Sequence, residues 1–591
     1  MVKTALRIGL VGCGPRGLSI FERILSIAER NGNQQISVDI FDPNIPGTGV
    51  HCPDQPEYLL LNTVAGQLGV FPDVAALDHL PGARGRIGPD FLTWCHENEI
   101  RISVETGSLV SDGRDVGPND FLPRKLLGSY LAYAFEEILA TAPSNVTTRF
   151  HHETVTALEE YSANFFVLKS SSGTTVTVDQ LVLTMGHTGR HTPGNESHVA
   201  KIYPLPNSLY PIKADDAVLI EGLGLGAMDV LATLTVGRGG KYEQSAERHT
   251  YKPSGNEPIL FAQSRTGIPF RARPDGLTRF PRHQAVILTR SRLACLRKQS
   301  TDGRIDFEEN ILPLMMLEMR AAAVAAMLGG SNFEKRHGIL DQLRAASSDL
   351  RAGASTCEAL IESMEETAGS IKISTLLNHV LPSEVTIENY ATWVYEQIET
   401  DFHEACRGLE APAKAALEVW RDMRDHLREA VDFDGLNEVS HQYFYRRWHK
   451  VINRLVAGPQ KERHADLLAL CRAGKLTFLH PKARPTAKNY WRVAGHVQGS
   501  GLANSDCTLI RSLEHIGLVR ARSDIPQANG IDVDQACHPK SRNGNSVQNI
   551  WILGPVVEGS CYYNHYVPSA GAPSRFFMDA HKAVSAMLDT P

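Results

Sequence analysis

Leu6-Arg7-Ile8-Gly9-Leu10-Val11-Gly12-Cys13-Gly14-Pro15-Arg16-Gly17 is a short apolar run that breaks into three glycines. A run of this length ended by glycine reads as a buried strand. Behind it, Leu18, Ile20, Phe21, Ile24, Leu25 and Ile27 recur on one broad face, as in an amphipathic helix, and Ile36 to Phe41 reads as a second strand. Strand, helix and strand in sequence form a βαβ unit, which implies parallel pairing and a right-handed crossover. Each glycine has its own task. Gly12 permits the tight turn, Gly14 lets a pyrophosphate approach the backbone, and Gly17 lets helix and strand pack closely. The helix N-terminus faces the phosphates, and Pro15 and Arg16 lie inside the same loop. Asp42 ends the second strand, where a ribose hydroxyl would be held; before Pro43 it also suits a plain turn.

A second unit of the same kind follows. The strand Ala217–Ile220 leads into Gly222-Leu223-Gly224-Leu225-Gly226-Ala227, then a helix from about Ala227 to Leu234 and a strand at Ile259–Ala262. Ala227 takes the third glycine position, where one methyl is tolerated. Ser264 and Arg265 come next. An arginine there can hold a 2′-phosphate, which favours NADPH over NADH; its alternative is an exposed surface charge. Two dinucleotide sites in one chain suggest one tightly held FAD and one exchangeable NADPH, since a nicotinamide supplies hydride and a flavin passes it on.

The chain has 591 residues, 42% apolar and 21% charged, which is ordinary for a globular protein. A net charge of −6 argues against a nucleic-acid or membrane-surface partner. Ten cysteines with no CxxC argue against a disulfide scaffold, a zinc knuckle or a dithiol redox site, so no metal is expected. No secretory signal opens the sequence and no apolar run reaches membrane-spanning length, so no membrane helix is expected and cytoplasm is the default. Helical spacing dominates from about 306 to 478. Residues 301–400 hold 7 Lys/Arg against 16 Asp/Glu, an acidic block for which a solvated face is the plain explanation. Strand signals return at Thr508–Arg511 and Ile550–Leu553, followed by a closing helix from about Phe576 to Leu588. The expected fold is α/β, with two Rossmann-like dinucleotide-binding domains and an all-α insertion. The FAD domain is discontinuous (1–200 and 481–591), the NADPH domain spans 201–304, and the insertion spans 305–480.

Together GCGPRGLSIFERI (12–24), GTGV (47–50), PDQP (53–56), LLLNT (59–63), LTMGH (183–187), GLGLGAMDVL (222–231), SRTGIP (264–269) and NIWILGPV (549–556) resemble the FAD/NAD(P)-binding flavoproteins. The order of these parts is similar to that of flavin-dependent N-hydroxylating monooxygenases, and more narrowly to the nitrosuccinate synthase, or aspartate N-oxygenase, type. The resemblance implies that Gly12, Gly14 and Gly17 lie on the FAD pyrophosphate and Asp42 on its ribose. Gly186 would stand at an ATG-like strand end, and Gly554 near the isoalloxazine, with Pro555 replacing the usual acid. Gly222, Gly224, Gly226 and Arg265 would serve NADPH. It also implies N-oxidation of the amine of a small polar amino acid with O2, through a flavin C4a-(hydro)peroxide.

Such chemistry needs a dry pocket and a positioned amine rather than a nucleophile motif. Candidates come from three places. Tyr562, Tyr563, Asn564, His565 and Tyr566 form a polar aromatic cluster after Gly554; a packed aromatic turn explains it equally well. Asn62 and Gln67 follow the Leu59–Leu61 run and either face the flavin or belong to turns. Arg446 and Arg447, in YFYRRWH (443–449), and Arg290 and Arg292 are candidates for a dicarboxylate, unless they pair with the acidic insertion. Catalysis is assigned to Asn62, Gln67, Asn564 and His565. Two further readings stay open: a flavin oxidoreductase without oxygen insertion, and a non-catalytic dinucleotide-binding scaffold. A homo-oligomer is compatible with all three.

Overall fold

The computed structural model describes residues 5–588 apart from 33, 78, 79, 81, 82, 163, 164, 190–196, 245–248, 497, 498, 500, 523, 565, 566, 570, 572 and 573. Two parallel sheets organise it. Their strands, in chain order, are β1 (Leu6–Val11), β2 (Ile36–Phe41), β3 (Val146–His151), β4 (Gln180–Leu183), β5 (His198–Val199), β6 (Ala217–Glu221), β7 (Ile259–Gln263), β8 (Leu476–Phe478), β9 (Trp491–Ala494) and β10 (Ile550–Ile552). The first sheet runs β10-β4-β1-β2-β3 and the second β5-β9-β6-β7-β8. Every named pairing within them is parallel, as crossover connections demand. A small antiparallel sheet of Val155–Tyr161, Phe166–Ser170 and Thr175–Val178 stands between β3 and β4.

The first crossover is α1 (Pro15–Arg30), buried on nearly every side. Its internal charges are therefore matched: Arg23 donates to Glu22 at 2.5 Å, and Glu22 also accepts from Ser26. A second helix, α2 (Arg124–Ala140), packs Tyr130, Leu131 and Phe135 into the same core. In the second sheet the crossover is α3 (Leu225–Leu234), which starts two residues earlier than its apolar pattern suggests.

Residues 306–475 are helical, with no strand among the described residues. The central helix α4 (Leu312–Gly329) packs Met315, Met319 and Ala323 against Leu417, Val419 and Trp420 of α5 (Pro412–Asp422). The Trp420 indole N–H meets the Met319 sulfur at 3.2 Å. Extended back through a π-helical turn, Phe307–Gly329 is long and apolar enough by composition to cross a membrane, a helix the run-length reading did not foresee. Here its apolar side chains are met by neighbouring helices. Next come α6 (Arg424–Val431) and α7 (His449–Val456), the latter entered through a π-helical turn at Phe444–Trp448. The closing helix α8 (Arg575–Leu588) lays Ala580, Ala583, Val584 and Met587 into the core that holds α1.

Three expectations are corrected. The chain leaving the helical stretch first completes the second sheet with β8 and β9, and only then returns to the first with β10. A boundary at 480/481 therefore cuts the second sheet. Leu293, on the helix Arg290–Gln299, already packs with the helical core, so that core begins before 305. Thr508–Arg511 is helical, not extended. Leu509, Ile510 and Leu513 share one buried face of Thr508–Ile516, which Gly517 ends in a left-handed conformation.

The two sheet systems are welded by charge. Arg124 on α2 grips Asp229 on α3 through two bonds, at 2.6 and 3.0 Å, and Tyr203 donates to the same carboxylate. The Asp229 side chain is only 4% exposed. Removing the acid alone leaves a buried guanidinium unmatched, a cost of about 3–5 kcal/mol. Asp229→Ala should therefore lower the denaturant midpoint sharply. A midpoint equal to the unmodified protein's would contradict this role.

Candidate active site

The glycine loops leave the carboxyl edges of the two sheets, where open α/β sheets bind ligands. In the first, Gly12 has φ +91°, a conformation that favours glycine. A Cβ on Gly17 would lie 2.1 Å from the Gly12 oxygen, so only glycine allows this contact between helix and strand. Gly14 caps α1 in extended conformation, and neither a side-chain cap nor a first-turn acid covers the helix N-terminus. This donor set fits a pyrophosphate. Asp42 is buried at the end of β2. Its carboxylate accepts the Cys13 N–H at 2.7 Å and the Asn44 N–H at 2.8 Å, which fixes the loop and leaves lone pairs for a ribose. Burial raises its pKa, against the lowering effect of those bonds. Cys13, inside the loop, is no reactive thiol: burial pushes it up to about 12.

β4 lies beside β1, so Thr184 and Gly186 reach the same edge. The Thr184 hydroxyl donates to the Gly12 oxygen at 2.5 Å, and Gly186 has φ +73° with nothing crowding it. β10 brings Gly554, φ +101°, to this edge too. Arg16 lies beside it and donates to the Asn564 carbonyl at 3.4 Å, with Asp579 at 3.8 Å from its guanidinium.

The second loop repeats the plan. Gly224 caps α3 with no side-chain cap and no first-turn acid. A Cβ on Gly222 or on Gly226 would come within 2.9 Å of the Gly495 oxygen, on the turn after β9. The register Glu221↔Gln263 sets Ser264 and Arg265 directly beside Gly222. The Ser264 hydroxyl accepts the Gly267 N–H, and Arg265 is exposed.

Beside the second loop, against Leu225, lies a cavity of about 200 Å³. Asn62, Gln67 and Tyr563 line it from the first sheet's side, Leu225 from α3, and Arg421, Asp422 and Arg424 from the junction of α5 and α6. Its guanidinium groups are short of partners. Arg424 lies over the Tyr563 ring, 4.9 Å from its centre, and has no carboxylate partner among the described residues. Arg421 is 3.2 Å from Glu418, yet its Nε and Nη2 complete no hydrogen bond. Beneath them Arg273, 1% exposed, donates to the Asn62 carbonyl at 3.1 Å and reaches Glu418 only at 3.8 Å. Burial first, then the charge of Arg421, lowers the Arg273 pKa. An anion in the cavity relieves that repulsion. Asp422 accepts the His283 N–H at 2.8 Å; burial, then the neighbouring Glu418, raises its carboxyl to about 6.

The other sequence candidates go elsewhere. Tyr562 packs against Phe444, Tyr445 and His449, a core aromatic rather than a cavity wall. Asn564 is buried, its amide donating to the Cys561 carbonyl at 2.5 Å and its N–H to Glu558 at 3.1 Å. His565 lies outside the described residues. None of the four arginines named from sequence lines this cavity. Arg292 spends its donors on the carbonyls of Ile287, Ser347, Asp349 and Leu350. Arg447 pairs with Glu308 at 3.8 Å and stacks on Trp448. Arg290 pairs with Glu429 at 3.4 Å, on a wider cleft of about 580 Å³. That cleft is larger, and three of its arginines are paired: Arg290 to Glu429, Arg428 to Asp425, Arg575 to Asp432. It also touches neither glycine loop. Arg446 is exposed beside Tyr443. Sequence reading missed Arg273, and also Arg421, Asp422 and Arg424, whose only local signal is the charged run RDMRD (421–425) at a helix junction.

Residues 9–188 match a family of FAD-NAD(P)-binding domains. The chain is 30% identical over 513 residues to the L-aspartate N-monooxygenase (nitrosuccinate-forming) of Streptomyces davaonensis, covering 80% of this chain and 77% of that protein. It is 28% identical over 506 residues to the nitrosuccinic acid synthase of Aspergillus oryzae, covering 82% and 75% respectively. Among solved structures, ornithine hydroxylase from Pseudomonas aeruginosa aligns over 99% of this chain and 98% of its own, at 10% identity and a TM-score of 0.41.

The two glycines of the first loop should separate on substitution. Gly17→Ala should give little folded protein, because its Cβ has no room. Gly14→Ala meets only Gly49, at 3.2 Å, and should fold but lose bound flavin. Flavin content per folded chain reads the difference, and a flavin-replete Gly14→Ala would contradict it.

Proposed function

This chain belongs to the family of nitrosuccinate-forming L-aspartate N-monooxygenases, and from that premise we propose that it is an FAD- and NADPH-dependent monooxygenase that oxidises the amine of L-aspartate. The first sheet is then the core of a discontinuous, Rossmann-like FAD-binding domain, the second that of an NADPH-binding domain, and the helical stretch an all-α insertion. When bound, FAD would supply the acceptor for the NADPH hydride and the activation of O2, one oxygen atom passing to the nitrogen and the other leaving as water in each cycle.

The observation that carries the site assignment is the cavity beside the second glycine loop, edged by guanidinium groups that lack full partners. Aspartate brings two carboxylates. Arg424 and Arg421 take them, with Arg273 adding positive potential from below, because planar guanidinium suits carboxylate geometry. Asn62, Gln67 and the Tyr563 ring close the flavin side and exclude water. Only a neutral amine is a nucleophile, so the substrate ammonium must lose a proton. Asp422 takes it at Oδ1, while Oδ2 stays fixed by the His283 N–H. With its carboxyl near 6, Asp422 is ionised at neutral pH and able to accept that proton.

Steady-state kinetics and anaerobic flavin reduction test the two roles together. Arg424→Ala should raise KM for L-aspartate about tenfold or more, the loss expected for a charge-assisted bond, with NADPH reduction of the flavin intact. Asp422→Asn should lower kcat about a hundredfold. It should also remove the rise in rate as pH climbs through about 6, since the base works only when unprotonated. Wild-type aspartate kinetics in both variants would sink the assignment.

A further inference from the structure

We propose that Arg265, Arg446 and Lys450 together form the site for the 2′-phosphate of NADPH, so that the helical stretch supplies part of the nucleotide's anchor. The inference rests on the FAD- and NADPH-dependent reading above and adds residues that the glycine-loop pattern does not contain.

Three features bring the helical stretch to the second glycine loop. The Gly222 N–H donates to the Gln263 carbonyl at 2.8 Å, so the residues after β7 begin beside the loop. In a doubly wound sheet that position faces the ribose of the adenosine half. The segment after Arg265 then lies along α7. The Arg271 N–H donates to the Arg454 carbonyl at 3.0 Å, and a Cβ on Gly458 would fall 1.8 Å from the Arg271 oxygen. The same segment sets the Phe270 ring 3.1 Å from the Cβ position of Gly224. Finally, Ala457, at the end of α7, and Leu225, at the start of α3, line one cavity. Lys450 lies back along α7 from Ala457 by roughly 10 Å, at 1.5 Å per residue.

The charges at that end are unbalanced. Arg265, Arg446 and Lys450 are all exposed, and none has a carboxylate partner among the described residues. Burial first, then the charges of Arg265 and Arg446, lowers the Lys450 pKa. Glu308, an acid nearby in the fold, is taken by Arg447 and by the Trp448 indole N–H. Three like charges held together without acids destabilise one another, and a phosphate dianion is the ligand that reverses the sign. Arg446, expected from sequence to meet the substrate, is thereby reassigned to the coenzyme.

The test uses the flavin-loaded full chain and two nucleotide fragments, 2′,5′-ADP and 5′-AMP, titrated calorimetrically. Wild type should bind 2′,5′-ADP well and 5′-AMP at least tenfold more weakly. Arg446→Ala and Lys450→Ala should each weaken 2′,5′-ADP about tenfold with 5′-AMP unchanged, and Lys450→Arg should restore most of the binding. The KM ratio of NADPH to NADH should move toward unity in the same variants. Unchanged 2′,5′-ADP binding in both alanine variants, beside a wild type that discriminates, overturns this inference and leaves the functional reading standing. A wild type that binds neither fragment and whose flavin NADPH does not reduce overturns the functional reading itself. Both positions are exposed, and flavin content and thermal unfolding of each variant register any loss of fold.

Discussion

A single buried guanidinium holds together the parts of this molecule that chemistry would need side by side. Arg273 leaves the segment behind the second sheet, donates to the main chain of Asn62 on the first sheet's side, and reaches toward Glu418 on α5. Its remaining nitrogens, and Nε and Nη2 of Arg421 above it, are left without hydrogen-bond partners. Burying cationic nitrogens without full compensation is costly. Such an arrangement persists where the surrounding fold enforces it, and it creates a positive potential that an anionic ligand completes. The cavity above Arg273, with Arg424 stacked on Tyr563, is where that potential opens to a ligand.

The two parallel sheets explain why the cavity lies where it does. Each delivers its glycine loop at a carboxyl edge, each loop opens a helix with an uncapped and acid-free N-terminus, and the Arg124–Asp229 pair fixes one system against the other. A small polar space beside the second loop, walled on its other side by Asn62, Gln67 and Tyr563, can hold a substrate. The helical stretch does more than cover it. α5 and α6 bring the arginines and Asp422, and α7 passes beside the second loop.

What the sequence made legible was local. Gly12 and Gly17 are demanded by a backbone angle and by one close contact, both of which leave a mark within twelve residues of chain. The second loop was readable for the same reason, including the alanine in its third position. What the sequence hid was tertiary. The three-residue strand Leu476–Phe478 carries too little pattern to announce which sheet it joins, so the return of the chain to the second sheet was misplaced. Thr508–Arg511 has strand-like composition, and only packing of Leu509 and Leu513 decides for a helix. The arginines show the limit most clearly. Arg292 and Arg447 looked like substrate ligands because arginines gathered near aromatics are chemically apt, but carbonyls and Glu308 claim them. Arg421 and Arg424 gave no better signal, and the fold leaves them facing the cavity.

The proposed function requires this cavity to select a small amino acid carrying two carboxylates. Comparing L-aspartate with L-asparagine tests it, because the two differ in size by almost nothing and in charge by one carboxylate. The measurement is NADPH oxidation in air together with the yield of nitrogen-oxidised product. Product is expected from aspartate, and kcat/KM for asparagine lower by about a hundredfold or more, since a site built around guanidinium groups rejects a ligand that leaves one unpaired. Equal turnover of asparagine, with the same yield of oxidised product, would contradict it.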